Sequence, residues 1–597
     1  MRKNCYKRMG TLASRPGIKT LLLISAAAWI IPSVNAQLSV SLTPSTPSPS
    51  VVGTVVTWTA AVSNLRAATY RYRFVTRGFD RLARVAKDFG PDNTFQWAAG
   101  DREGFYTIEV VVRNKDTGES IQASAPYQVL PAVNGAQPVV TPTAHPLVFL
   151  YSAPACRPGG KMIVSFVSPD NVVQNTPAKQ CDGIFSMNFY IAGLRETATY
   201  SVKHRIDNGG GSITEGPVLR FTSGQAPANL PTHTKISDAR SPGQGIFLAA
   251  SLRANFVATD LDGNLIWYYP SLLTFLTRPE AGGYFFGINE DTSGDQSKQI
   301  VRAFDLAGNT VFETNAERVN EQLIAMGKPP ISAFHHEARR LANGATLVLA
   351  SVEQILNDVQ GDGPVNVLGD MIIVLNRNLE VVWTWNAFDH LDVRRVATLN
   401  DKCGPGVCPS LFLTSTANDW LHGNSVSETP DGNLLYSMRS QDWVLKIDFQ
   451  NGRGTGNIIW RLGNDGDFTI DSSDPNPWFS HQHDPELHAD GTLTVFDNGN
   501  FRQFLDPSAH SRGQVLRLDE ANRSATLLLN VDLGQFSGAL GTAQKLGDGH
   551  YFFDAGFLSD GTGVSLEVDS SGTTVYGIRS SVQEYRTFRM RDMYTPF

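Results

Sequence analysis

The sequence has no long basic run. Its 50 Lys and Arg stand against 57 Asp and Glu, for a net charge of −7 over 597 residues. That balance excludes nucleic acid or an anionic membrane surface as the main partner, since both demand clustered cations. A small anionic substrate stays open, because a few local cations suffice for it. Apolar runs of spanning length are also missing. Leu21–Ile31 falls short of the ~20 residues a membrane helix needs, and no later stretch approaches that length. Cysteine is scarce, at five residues, and none has a histidine beside it at zinc-finger spacing. Long helical patterns are rare too, whereas 53 glycines and 32 prolines favour many short strands and turns.

The first 36 residues read as an export signal. Lys3, Lys7, Arg8 and Lys19 precede Leu21–Ile31, followed by Pro32 and the small-residue site Val34-Asn35-Ala36. Cleavage after Ala36 removes Cys5 and leaves a periplasmic or secreted chain with no membrane span. The four remaining cysteines, an even number in an oxidising compartment, read as two disulfides. Nearest-neighbour pairing gives Cys156–Cys181 and Cys403–Cys408.

A chain of this length exceeds one hydrophobic core and implies roughly two to four domains. From 37 to 131, short β-rich runs (Val55–Val62, Tyr70–Val75, Tyr106–Val112) predict an immunoglobulin-like β-sandwich. A second region, 135–225, predicts a fibronectin III-like β-sandwich. The rest, 231–597, repeats itself. Six times a small apolar strand after a turn is followed by a strand ending in an Asp-containing turn and another β-rich strand. Leu341–Ser351, Pro430–Ser437, Ala489–Phe496 and Gly547–Phe553 show the first half. Val257–Tyr269, Val301–Glu313 and Ile372–Trp385 show the second. Six such units predict a six-bladed β-propeller, and the whole is expected to be all-β.

Histidines fall in register across these units. His336 lies eight positions before Gly344, and His483 eight before Gly491; His422 precedes Asp431-Gly432 with two residues more. If each blade's first strand lines a central channel, the three converge on the axis. Arg439 ends the strand after His422, where a cation needs a partner or an anionic ligand. Strand alternation turns His335 away from His336 and leaves His481 on the side of His483. Three readings of the set compete: a metal site, disfavoured by the arginine; a binding propeller without chemistry, in a ligand-binding or adhesion role at the cell surface; and transfer of a small oxyanion group. In the last, a histidine nucleophile works with an acid/base histidine and cations that hold the oxygens.

Several motifs resemble the bacterial arylsulfotransferase (aryl-sulfate sulfotransferase) family. They are FHHEARRLANG at Phe334–Gly344, DWLHGNSV at Asp419–Val426, SMRSQDWVLKID at Ser437–Asp448, WRLG at Trp460–Gly463, QHDPEL with TVFDNG at Gln482–Gly499, and Tyr585–Arg589. The resemblance implies a ping-pong transfer from a phenolic sulfate ester to a phenol through a sulfohistidine, with neither a nucleotide sulfate donor nor a metal or other cofactor. It makes His483 the sulfated nucleophile, His422 the acid/base group, and His336 and Arg439 the holders of sulfate oxygens. It also brings the family's homodimer, for which the sequence carries no separate sign. By proximity Asn424 is expected to orient His422 beside the substrate. Trp420, Trp443, Trp478 and Phe501 are candidates for an aryl pocket.

Overall fold

A computed structural model describes residues 38–64, 67–237, 245–405, 408 and 410–597, so the expected export signal at 1–36 lies outside the described residues. Among those residues the protein is all-β, with two short α-helices, Ala316–Ala325 and Asn500–Leu505.

The first core is built by alternation. In Val55–Ser63, Val56, Trp58 and Ala60 turn inward and meet Phe74, Val110, Val112 and Tyr127 from a facing sheet. A second core gathers Tyr151, Val164, Phe189 and Tyr200 beside the Cys156–Cys181 disulfide. The other expected bridge, Cys403–Cys408, is present as well.

Six further sheets follow, and one strand from each joins a ring. These strands are β1 (Phe275–Glu280), β2 (Ala333–Arg340), β3 (Gly423–Glu428), β4 (His483–Leu487), β5 (Thr542–Lys545) and β6 (Glu584–Asp592). Each packs against the next, and β6 packs against β1, so the ring closes. Two pairings lock it across the chain. The β6 strand hydrogen-bonds to Ile246–Ser251, and His233–Ser237 pairs with Thr574–Ser580. Strands from both ends of the region thus complete shared sheets, which closes the inner edge of the ring.

His145 ties the segment after the first core to the outer part of the β6 sheet. Its Nδ1 accepts the Leu147 N–H at 3.0 Å, and its Nε2 donates to the Tyr268 carbonyl at 2.7 Å. Both nitrogens are committed in the neutral form. Burial pushes its pKa down to about 4, a depression that the two backbone bonds only partly offset. The unfolded chain therefore binds a proton here at a pH where the folded chain does not. Stability is full above the ordinary value of 6.5 and falls as the pH drops from there toward 4, by about 3 kcal/mol from this group alone. Melting temperatures measured between pH 7 and pH 4 should fall, and His145→Gln should flatten that dependence.

Candidate active site

The starts of the ring strands meet at one mouth. His336 lies in β2, His422 just before β3, His483 opens β4, and Arg439 begins the turn after Leu434–Met438. The His336 and His422 rings are 5.1 Å apart between centroids, and His483 feels the charges of both Arg439 and His422. All four residues expected at the site are thus brought together.

The floor of this mouth is a buried ion network. Arg586 of β6 donates through Nη1 to the Thr277 carbonyl of β1 and to Glu337 Oε2 of β2, both at 3.0 Å. Its Nη2 donates to the Asn424 carbonyl of β3 at 2.6 Å and lies 3.9 Å from Asp484 of β4. Arg278 of β1 pairs with the same two carboxylates. Glu337 and Asp484 are almost fully buried, so each charge depends on the arginines for solvation.

Several backbones here sit in the left-handed region: His336 at φ 55°, His422 at 49°, His481 at 53° and Asp484 at 50°. For residues with a Cβ this costs on the order of 1–3 kcal/mol each, and it is sustained only by surrounding contacts. The Tyr585 hydroxyl, for example, donates to the His336 carbonyl at 2.6 Å. The kink also breaks strand alternation. Pairing of β2 with its neighbour slips between Phe334 and Ala338, and His335, expected to face away, instead brings its Nδ1 to 2.9 Å from His336 Nδ1.

His483 is fixed in one tautomer. Asn498 donates through Nδ2 to the Ser537 and Leu540 carbonyls, so its Oδ1, 2.7 Å from His483 Nδ1, is an acceptor. Nδ1 therefore carries the proton, and Nε2 is a lone pair that accepts the Leu540 N–H at 3.2 Å. Burial first, and then Arg439, holds the pKa of His483 well below the imidazole range, so the ring is neutral. His336 is neutral for a similar reason: burial leads, followed by His422, His335 and His483.

His422, partly exposed, donates from Nδ1 to Asp419 Oδ2 at 2.5 Å. Asn424, expected to hold it, does not. Its side chain is buried and donates to the Gln482 carbonyl at 2.7 Å, which aligns β3 with the segment leading into β4. Arg439 has a protein partner, Asp401 at 3.2 Å, and its Nε is buried without one. Asp401 also reaches His481 Nε2 at 3.2 Å, while Asp442 takes His481 Nδ1 at 3.0 Å. Burial opposes a charge on His481, but these two carboxylates outweigh it and raise its pKa.

Asp419 and Asn498 lay within the motifs already singled out, three residues before His422 and inside TVFDNG. Asp401, Asp370, Arg278 and Leu540 carried no sequence signal. A two-residue strand, Lys402–Cys403, pairs with Ala417–Asp419, so the loop braced by Cys403–Cys408 delivers Asp401 at one end and Asp419 at the other. Among the aryl-pocket candidates, Trp420 is core and donates to the Arg395 carbonyl. Trp443 lies under the Arg395 guanidinium at 3.9 Å, Trp478 packs partly buried against Phe479, and Phe501 is exposed. Among the described residues, His, Cys and carboxylate ligands converge at Cys403–Cys408–Asp419, whose cysteines are bridged, and at Asp548–His550–Glu567. The three histidines of the mouth form no such group.

A family model described as Arylsulfotransferase (ASST) matches residues 231–586, more than half of the chain. No curated protein matches. Among solved structures, a cytokine receptor complex is similar over 32% of this chain and 98% of its own at 17% identity, with a TM-score of 0.13. The FN1–FN3 domains of chicken CNTN1 are similar over 46% of this chain and 96% of their own at 15% identity, with a TM-score of 0.14. Scores that low carry no argument about fold or function.

The ion network sets a measurable stability. Arg586→Met leaves Glu337 and Asp484 short of positive charge and should cost about 3–5 kcal/mol in equilibrium denaturation.

Proposed function

We propose, since this chain belongs to the arylsulfotransferase family, that it moves a sulfuryl group from a phenolic sulfate ester to a phenol by a two-step route through a sulfohistidine, without a nucleotide sulfate donor. The observation that carries this reading is the tautomer of His483, a neutral imidazole with its lone pair on Nε2 and a ring that feels the charges of Arg439 and His422.

In the first half-reaction His483 Nε2 attacks sulfur, the S–O bond to the aryl group breaks, and its electron pair leaves on the phenolate oxygen. His422, protonated on Nε2 and oriented through Nδ1 by Asp419, gives that oxygen its proton. The sulfated ring keeps its Nδ1–H on Asn498 Oδ1, which stabilises the positive charge it gains. The Leu540 N–H, released from Nε2, is left facing the new oxygens, with Arg439 and His336 on the other sides. The second half-reaction runs in reverse with a new phenol, whose proton returns to His422.

In this reading the ring of six sheets is a six-bladed propeller spanning 231–597, preceded by an immunoglobulin-like module at 37–131 and a fibronectin III-like module at 135–225. Residues 1–36 direct export to the periplasm or beyond, consistent with two disulfides.

Purified protein given 4-nitrophenyl sulfate and phenol should release nitrophenolate and form phenyl sulfate. With acceptor withheld, mass spectrometry should find one sulfuryl group on His483. His483→Asn should lower turnover by roughly 10⁴-fold or more and abolish the adduct; full activity in that variant overturns the assignment. His422→Asn should cost roughly 10²–10⁴-fold with an unactivated phenyl sulfate, and far less with 4-nitrophenyl sulfate, whose phenolate leaves without a proton.

A further inference from the structure

A hydrogen bond between two imidazole nitrogens holds one proton. His335 Nδ1 and His336 Nδ1 are 2.9 Å apart, so one donates and the other presents a lone pair. Which does so decides what His336 shows the substrate. If His336 Nδ1 is the acceptor, its only proton is on Nε2, and it presents an N–H. If it is the donor, Nε2 is a lone pair that repels a sulfuryl oxygen.

The surroundings of the two rings differ in sign. His335 Nε2 lies 3.1 Å from Asp370 Oδ1, an ionic contact with the N–H off-line. Asp370 is held in place from its other oxygen, which accepts the Tyr436 hydroxyl at 2.6 Å and the Gly423 N–H at 2.7 Å. Asp419 adds negative charge around His335, and so does Glu290 in the fraction that is ionised, since burial pushes its carboxyl up to about 7. His336 looks instead toward His422, His483 and Arg586, and its ring lies against Phe275 at 5.5 Å. A proton shared between these rings is drawn to the side that faces Asp370.

We infer that His335 is a positioning residue: ion-paired to Asp370 through Nε2, it donates Nδ1–H to His336 Nδ1 and so confines His336 to the tautomer that offers its Nε2–H to the sulfuryl group. The pKa shifts agree with the geometry. Burial works against charging His335, yet Asp370 and Glu290 outweigh it and raise its pKa, while that of His336 is depressed. Two consecutive histidines are needed because the left-handed backbone at His336 lets adjacent side chains share one face. This inference rests on the proposed role of His336 at the sulfuryl oxygens.

The test separates the two. Nitrogen NMR of the ¹⁵N-histidine-labelled, substrate-free protein should show His336 with a bare Nδ1 and a protonated Nε2, and His335 protonated at both nitrogens. A protonated His336 Nδ1 with a bare Nε2 overturns the inference, whether or not the protein transfers sulfuryl groups. Two substitutions then probe function. Asparagine places an amide N–H near the position of Nδ1, whereas glutamine reaches the position of Nε2. His335→Asn should hold kcat/KM within about threefold, and His335→Gln, which keeps Asp370 company but leaves His336 without its donor, should lose roughly 10–100-fold. The reverse ranking shows a role confined to satisfying Asp370 and overturns the inference. Should either variant fold poorly, the wild-type spectrum alone decides. An inactive wild type with the expected spectrum would instead count against the sulfuryl-transfer reading.

Discussion

A single guanidinium touches five of the six strands that form the ring. Arg586, on β6, reaches backbone or carboxylate groups on β1, β2, β3 and β4. Strands converging on an axis bury polar backbone and charge where water cannot follow, and five N–H donors in one rigid fork are an economical answer. Everything above this plane depends on it. The carbonyl of Asn424 is held by Arg586, and the residues next to Glu337 and Asp484 are His336 and His483. The spacing of the mouth's histidines is thus set from beneath.

Above that floor, the protein separates imidazoles by charge. All four rings are buried, which opposes a charge. Carboxylates beside His335 and His481 outweigh that burial and drive them toward the cationic form, while His336 and His483, one and two residues later, are kept neutral first by burial and then by neighbours that are basic. Sequence neighbours thus do opposite jobs. A neutral ring can supply a lone pair or a directed N–H, while a charged one fixes the position of an acid, as His481 does for the Asp401 that faces Arg439. Such divergence between like groups is how one fold assigns acid and base roles near neutral pH.

The convergence of His336, His422 and His483 was legible because each lies in or beside the ring strand of its repeat, His336 within β2, His422 just before β3 and His483 at the start of β4, and a repeated strand carries equivalent positions to the same place. The all-β class followed from turns and alternation, as Val56, Trp58 and Ala60 illustrate. What failed was alternation at His335. It assumes extended dihedrals, and a left-handed residue with a shifted pairing register removes that assumption. The orienting carboxylates were hidden for another reason. Asp401 meets His481 across 80 residues, and Arg278 meets Asp484 across 206, pairings made by topology and not by any local pattern. Asn424 was misjudged because closeness in sequence to His422 says little at a strand start, where neighbouring side chains diverge.

The closure of the ring by β6 has a consequence in time. Its partner, Ile246–Ser251, is made more than 300 residues earlier, and no fragment ending before Tyr585 and Arg586 can assemble the mouth. On the ribosome, His336, His422 and His483 are all made before β6. The first sheet waits with an open edge until β6 arrives. Long-range pairing of this kind is slow to form. Completion of the mouth therefore waits on the last of its strands to be made.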